Sequence, residues 1–250
     1  METTEKQKNR FGLLGRNISY SFSQGYFTQK FKDLGLADHS YENFDIQHIG
    51  EIGKVLGQKN LRGLNVTIPY KEEVIPYLDE MDSQAEKIGA VNTIKFTETG
   101  LKGFNTDAYG FKKSLEPFLK QHHTKALVLG TGGASKAVRF VLDELGIKST
   151  YVSRSQKEGQ YTYDELNRDI MEENLLIVNC TPLGTHPNVE AKPSVPYEFI
   201  DQRHLLYDLI YNPEKTAFLA LGESKGATIS NGLEMLIHQA EKAWEIWNMP

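Results

Sequence analysis

Gly130-Thr131-Gly132-Gly133, followed by Ala134 and Ser135, lies between an apolar run, Lys125–Leu129, and a stretch of helical spacing, Lys136–Leu145. A dinucleotide pyrophosphate must approach the backbone closely, and a Cβ would stand in its way. The helix that follows offers free N–H groups and the positive end of its dipole. A tight strand-to-helix turn without ligand is the other reading, although it needs fewer glycines. At the end of the next apolar run, Ser149–Val152, stands Ser153-Arg154-Ser155. An acid there would bond the ribose hydroxyls of NAD and repel a 2′-phosphate. The guanidinium of Arg154 can grip that phosphate, and Ser153 and Ser155 add neutral bonds. Read as chemistry, these residues favour NADP over NAD; read as structure, Arg154 is a solvated surface side chain.

Lys71 closes Asn65-Val66-Thr67-Ile68-Pro69-Tyr70-Lys71 just after a strand. Pro69 suits a first helical turn. The sequence therefore predicts Lys71 at a helix N-terminus, where the dipole disfavours a cation and adapts a lysine to acid–base work. With Glu72 and Glu73 following, an exposed lysine on a charged helix is the reading that position alone favours. Asp107, in Asn105-Thr106-Asp107, can orient a substrate hydroxyl or cap a helix from Ala108. Ser21 and Ser23 can bind a carboxylate or cap their helix. The seven histidines show no metal-ligand spacing, no G-x-S-x-G turn occurs, and Cys180 reads as packing rather than nucleophile.

Apolar runs at Arg10–Leu14, Tyr41–Ile46, Gly63–Val66, Leu175–Val178 and Leu205–Leu209 alternate with helical patterns at Ser21–Phe31, Ile49–Leu56 and Ala108–Lys120. This predicts an α/β architecture with mostly parallel sheets. Gly89–Phe104 reads as two strands meeting near Thr99-Gly100. Gly146 is placed to stop the helix after the glycine turn. A last helix is predicted over Gly232–Trp247, capped by Asn231, with an apolar stripe of Leu233, Leu236, Ile237, Ala240, Trp244 and Trp247.

A net charge of −5 gives no support to nucleic-acid binding, and no apolar run approaches the length of a membrane helix. One cysteine precludes an intrachain disulfide, and Met1–Arg10 lacks the apolar stretch of a signal peptide. These features read as a cytoplasmic protein.

These signals occur in the order found in the shikimate dehydrogenase family, which the chain resembles over nearly its whole length. Further matching segments are Ser21-Phe22-Ser23, Gly89-Ala90-Val91-Asn92-Thr93, Asn179-Cys180-Thr181-Pro182-Leu183-Gly184, Tyr207-Asp208-Leu209-Ile210-Tyr211-Asn212-Pro213, and Asn231 to Leu236 with Gln239-Ala240. The resemblance implies an N-terminal α/β substrate domain, 1–106 plus 233–250, facing a Rossmann-like NADP-binding domain, 107–232, across a cleft. It implies NADPH-dependent reduction of 3-dehydroshikimate to shikimate, by a monomer or homodimer without metal, membrane or nucleic-acid partner. By carry-over, Ser21 and Ser23 hold the substrate carboxylate, and Thr67, Asn92, Asp107 and Gln239 the ring hydroxyls. Lys71 exchanges the proton beside Asp107, Tyr211 borders the substrate, and Gly232 and Met235 border the nicotinamide. The sequence departs from the family pattern at Gln24, where proline is usual, at Ser153 and Ser155, where Asn and Thr flank the arginine, and at Thr185, usually methionine. An NAD-accepting quinate/shikimate dehydrogenase would carry an acid near Arg154, and a non-catalytic sensor would have lost Lys71 or Asp107. The Ser21, Ser23 and Gln239 constellation argues against folate dehydrogenases of similar architecture.

Overall fold

The alternating apolar and helical stretches build two sheets in the computed structural model, which describes residues 9–19 and 21–249. Tyr20 and nearly all of the polar N-terminal segment lie outside the described residues. The chain divides into two compact units, Met1–Thr106 with Ala240–Pro250, and Asp107–Gln239.

The first unit runs β1 (Asn9–Gly15), α1 (Phe22–Asp33), β2 (His39–Asp45), α2 (Ile52–Leu56), β3 (Leu61–Val66), β4 (Glu80–Met81), α3 (Ser83–Ile88), β5 (Thr93–Thr97) and β6 (Gly100–Phe104). The sheet order is β2-β1-β3-β5-β6-β4. β1 is parallel to β2 and β3, whereas the β5–β6 hairpin inserts two antiparallel pairings. Gly89 does not start a strand: it ends α3 in the left-handed region at φ 69°, a conformation that favours glycine.

The second unit takes in all but the first residue of α4 (Thr106–Leu115). It continues through β7 (Lys125–Leu129), α5 (Gly133–Glu144), β8 (Lys148–Ser153), β9 (Tyr161–Thr162), α6 (Arg168–Glu173), β10 (Leu176–Asn179), β11 (Leu205–Asp208), α7 (Ala217–Ser224) and β12 (Thr228–Ser230). Its sheet order is β12-β11-β10-β7-β8-β9, parallel throughout. Counted from β7, this is the 3-2-1-4-5-6 arrangement of a Rossmann fold. β10 and β11 are buried along their whole length, as strands covered on both faces must be.

The last helix, α8 (Leu233–Asn248), gives Leu233–Gln239 to the second unit and its remainder to the first. Its buried face holds Met235, Gln239, Ala240, Ala243, Ile246 and Trp247, while Leu233 is exposed. The buried face is thus rotated from the apolar stripe of the sequence. Backbone packing decides the difference: a Cβ on Gly110 of α4 would lie 2.5 Å from the Met235 carbonyl and 3.1 Å from Gln239 Cβ, so α8 turns that face inward.

Trp247 anchors the end of α8 in the first unit. Its ring covers Gly63, where any Cβ would collide with it, and its indole N–H donates to the Ile94 carbonyl at 3.0 Å. Phe11 and Phe27 pack on it at centroid distances of 4.8 and 5.3 Å. Trp247→Ala is expected to cost about 3–5 kcal/mol in urea unfolding, the range for emptying a large aromatic site. A loss under about 1 kcal/mol would mean that the helix end is not held by this side chain.

Candidate active site

In the first unit, polar side chains gather along one sheet edge. β1 and β3 end there, and because β5 is antiparallel to β3 and β6 to β5, β5 begins and β6 ends there too. Ser21 caps α1, its hydroxyl oxygen accepting from the Ser23 N–H at 3.1 Å, which leaves the hydroxyl proton to donate elsewhere. Ser23 is buried and shares a hydrogen bond with the Tyr41 hydroxyl. Tyr41 donates to Asn65 Oδ1 at 2.7 Å, and Asn65 Nδ2 donates to Thr93 Oγ1 at 3.2 Å. Asn92 Oδ1 receives the Thr106 N–H at 2.7 Å, and Asn105 Nδ2 donates to the Ala90 carbonyl at 2.9 Å. Thr67 is bound to β1 through its N–H and the Leu14 carbonyl, 2.9 Å apart. Gly15 makes room for it, since a Cβ there would stand 2.5 Å from Thr67 Cγ2.

Lys71 follows Thr67 in a run of turns, not in a helix. In a helix its carbonyl would accept from Ile75. Instead it accepts from Val91 N–H at 2.7 Å, while Ile75 N–H turns to Glu72. The bond to Val91 ties the lysine loop to the segment carrying Asn92 and removes the helix-dipole argument for Lys71. Tyr70 holds the loop from beneath: its ring is buried and its hydroxyl donates to the Ile46 carbonyl at 2.7 Å. Asp107 is likewise not a cap. α4 starts one residue earlier, and Asp107 lies buried in its first turn, where the dipole favours an anion.

In the second unit, Gly130 leaves β7 with φ 95°, and a Cβ on it would meet Thr181 Cγ2 at 3.1 Å. Thr131 links it to Gly132, which caps α5 without any side-chain bond; a Cβ on Gly132 would find nothing within 4 Å. Packing therefore demands glycine at 130, not at 132, and the space over Gly132 is open. Gly133, Ala134 and Ser135 form the first turn of α5, with no acidic side chain and with Ser135 Oγ bonded back to the Gly132 carbonyl at 2.7 Å. Arg154 follows β8, exposed and in no ion pair with any described residue; Ser153 Oγ donates to the Ser155 carbonyl at 2.5 Å. A helix start without anionic competitors and an arginine after the adjacent strand suit a 2′-phosphorylated dinucleotide.

A family model described as the shikimate dehydrogenase substrate binding domain matches residues 13–94. An NADP(+)-dependent shikimate dehydrogenase of Clostridium beijerinckii is 39% identical, over 95% of this chain and 91% of its own. One of Methanopyrus kandleri is 36% identical, over 98% and 92%. The crystal structure of shikimate 5-dehydrogenase from Thermus thermophilus in complex with NADP(H) and shikimate aligns with a TM-score of 0.85 at 33% identity, covering 96% of this chain and 93% of that one. The chain belongs to the shikimate dehydrogenase family.

The structure groups the site residues expected from the sequence by unit. Ser21, Ser23, Thr67, Lys71 and Asn92 share the edge of the first sheet. Gly130–Ala134 follow β7, Ser153 ends β8, and Arg154 and Ser155 come directly after it. Tyr211 follows β11, and Gly232, Met235 and Gln239 lie at and along the start of α8. Gly232 has a packing reason as well, for a Cβ there would collide with the Leu209 carbonyl. Sequence reasoning passed over Tyr41, Thr93 and Thr106, whose hydroxyls complete the buried network of the first unit. Alternation hints at Tyr41 and Thr93, but nothing local shows what they bond.

Asp208, also passed over as a separate group, is a buried carboxyl at the end of β11. It accepts from Thr216 Oγ1 at 2.6 Å, Asn179 Nδ2 at 3.0 Å and Ile210 N–H at 3.1 Å, yet burial still pushes its pKa up to about 6. Burial, reinforced by Asp208, also holds the Cys180 thiol above its ordinary value, which disfavours a thiolate nucleophile. Because the folded state favours the protonated carboxyl, the stability Asp208 contributes is fully present below the unfolded pKa and is lost as pH rises through about 6. In Asp208→Asn this loss should vanish. Between about pH 4 and about pH 7 the variant should gain up to about 3 kcal/mol relative to the parent in urea unfolding. Parallel stability profiles would refute the assignment. No group of described His, Cys, Asp and Glu residues is arranged to hold a metal, and no described helix is long and apolar enough to cross a membrane.

Proposed function

We propose that this chain catalyses the reversible reduction of 3-dehydroshikimate to shikimate with NADPH. One observation carries the reading: the likeness to NADP(+)-dependent shikimate dehydrogenases extends over 94–98% of the chain. Residues 1–106 with 233–250 serve the substrate in this proposal, and residues 107–232 the dinucleotide. The open Gly132 position and uncapped start of α5 receive the pyrophosphate, with Gly130, Thr131, Gly133 and Ala134 shaping the turn. Arg154, flanked by Ser153 and Ser155, holds the 2′-phosphate. Gly232 and Met235 border the nicotinamide. Ser21 and Ser23 hold the substrate carboxylate. Thr67, Asn92, Asp107 and Gln239 bond the ring hydroxyls, and Tyr211 lines the same ring.

When bound, NADPH supplies the hydride. The substrate oxygen gains negative charge as its carbon is reduced, and the Lys71 ammonium both stabilises that charge and donates the proton. In the oxidative direction Lys71 takes the proton back. Neutral hydrogen-bonding side chains suit a polyol, because each discriminates against a substrate lacking its partner hydroxyl. The protein is proposed to work in the cytoplasm as a monomer or homodimer, without metal or nucleic acid. Incubation of purified protein with 3-dehydroshikimate and NADPH, followed by mass and NMR identification of the product, tests the reaction. Shikimate formed in step with NADPH consumption is the expected result; NADPH and substrate remaining intact would exclude it.

A further inference from the structure

Asp208 binds no part of the substrate or cofactor in the reading above, yet it heads a chain of contacts that ends at the glycine turn. Thr216, which caps α7, donates to Asp208 Oδ2, and Asn179 Nδ2 donates to Oδ1. The other end of the Asn179 amide, Oδ1, accepts from the Thr181 N–H at 3.0 Å and the Thr181 hydroxyl at 2.7 Å. Thr181 Oγ1 in turn receives the Leu183 N–H at 3.3 Å. Thr181 lies against Gly130, whose absent Cβ would be 3.1 Å from Thr181 Cγ2. β7 and β10 are neighbours, and the strand order departs from them in opposite directions. Gly130 and Thr181 therefore stand on the two sides of the switch-point crevice where a Rossmann sheet takes its ligand.

An amide has one donating and one accepting end, and only the accepting end can satisfy both Thr181 donors. The Asp208 carboxyl, facing Asn179 Nδ2, decides which end that is. We infer that Asp208 is a positioning residue for the dinucleotide: through Asn179 it holds Thr181 against Gly130 and so fixes one wall of the crevice. The inference rests on the NADP reading of the second unit.

Isothermal titration with NADP+ alone, on folded protein checked by circular dichroism, tests it without turnover. Asp208→Ala should weaken NADP+ binding about ten-fold, the scale of one lost buried hydrogen bond. Asp208→Asn should restore binding to within about three-fold of the parent, because its carbonyl can face Asn179 and its amide can donate to Thr216 Oγ1. Asn179→Ala should lose as much as Asp208→Ala, and the double variant no more than either. Should Asp208→Ala fail to fold, Asn179→Ala reads the same link from its other end. Parent-like affinity in the alanine variants, losses that add in the double variant, or a loss in Asp208→Asn equal to that of Asp208→Ala would each overturn the role. A parent protein that binds no NADP+ would overturn it together with the cofactor reading beneath it.

Discussion

Lys71→Ala is expected to lower kcat for shikimate oxidation by about 10²- to 10⁴-fold, the range for loss of a positioned general acid–base group. KM for shikimate should change by no more than about three-fold, since the other bonds to substrate remain. The fold should tolerate the change. The lysine loop is held by main-chain bonds and by Tyr70: the Lys71 carbonyl accepts from Val91, and the buried Tyr70 ring fixes the turn. Neither depends on the lysine side chain. Steady-state kinetics with circular dichroism of the same preparation checks both halves. A rise in KM at unchanged kcat would reassign Lys71 to substrate binding.

Arg154→Ala should act on the other substrate. A charge-assisted bond from arginine to phosphate is worth about 1.5–3 kcal/mol, so KM for NADP+ should rise roughly 10- to 100-fold with kcat little altered. NAD+, which has no 2′-phosphate, should be used as poorly as before. Stability should hardly move, because Arg154 is exposed and makes no ion pair with any described residue. Kinetics with both cofactors checks this, and equal losses with NADP+ and NAD+ would show that Arg154 supports the loop rather than reading the phosphate.

What the sequence makes legible follows from how local each signal is. β7 can be read to the residue because Lys125–Leu129 is a compact apolar run with a glycine turn directly after it. α5 starts three residues before its apolar pattern, since its first turn is Gly133-Ala134-Ser135 and packs through Ser135 and backbone rather than through large side chains. The short helices α3, α6 and α7 escape such a reading although Asp82, Asn167 and Thr216 cap them; at 6, 6 and 8 residues they are too brief for periodicity to show. The helix expected at Lys71 does not form. Pro69 suits a first turn, but no local pattern reveals that the Lys71 carbonyl will be claimed by Val91, far along the chain.

The site divides in the same way. The glycine turn and Arg154 can be singled out because a plain turn needs fewer glycines and because Arg154 stands where an acid would read NAD. Ser21, Ser23, Thr67 and Asn92 stand out only through their order along the chain, since each alone reads as a cap or a loop residue. Asp208 and Asn179 lie 29 residues apart and meet only once β10 and β11 pair in register. Their joint role is therefore invisible until the sheet is formed.

The most direct test is the initial rate of absorbance gain at the nicotinamide band when purified protein meets shikimate with NADP+, with NAD+ in a parallel cell. Rapid reduction of NADP+ and slow reduction of NAD+ is the expected outcome, and it would support substrate, reaction and the part of Arg154 at once. No reduction of either cofactor with shikimate, in protein shown to be folded, would contradict the proposed activity and leave this chain sharing the family's fold without its chemistry.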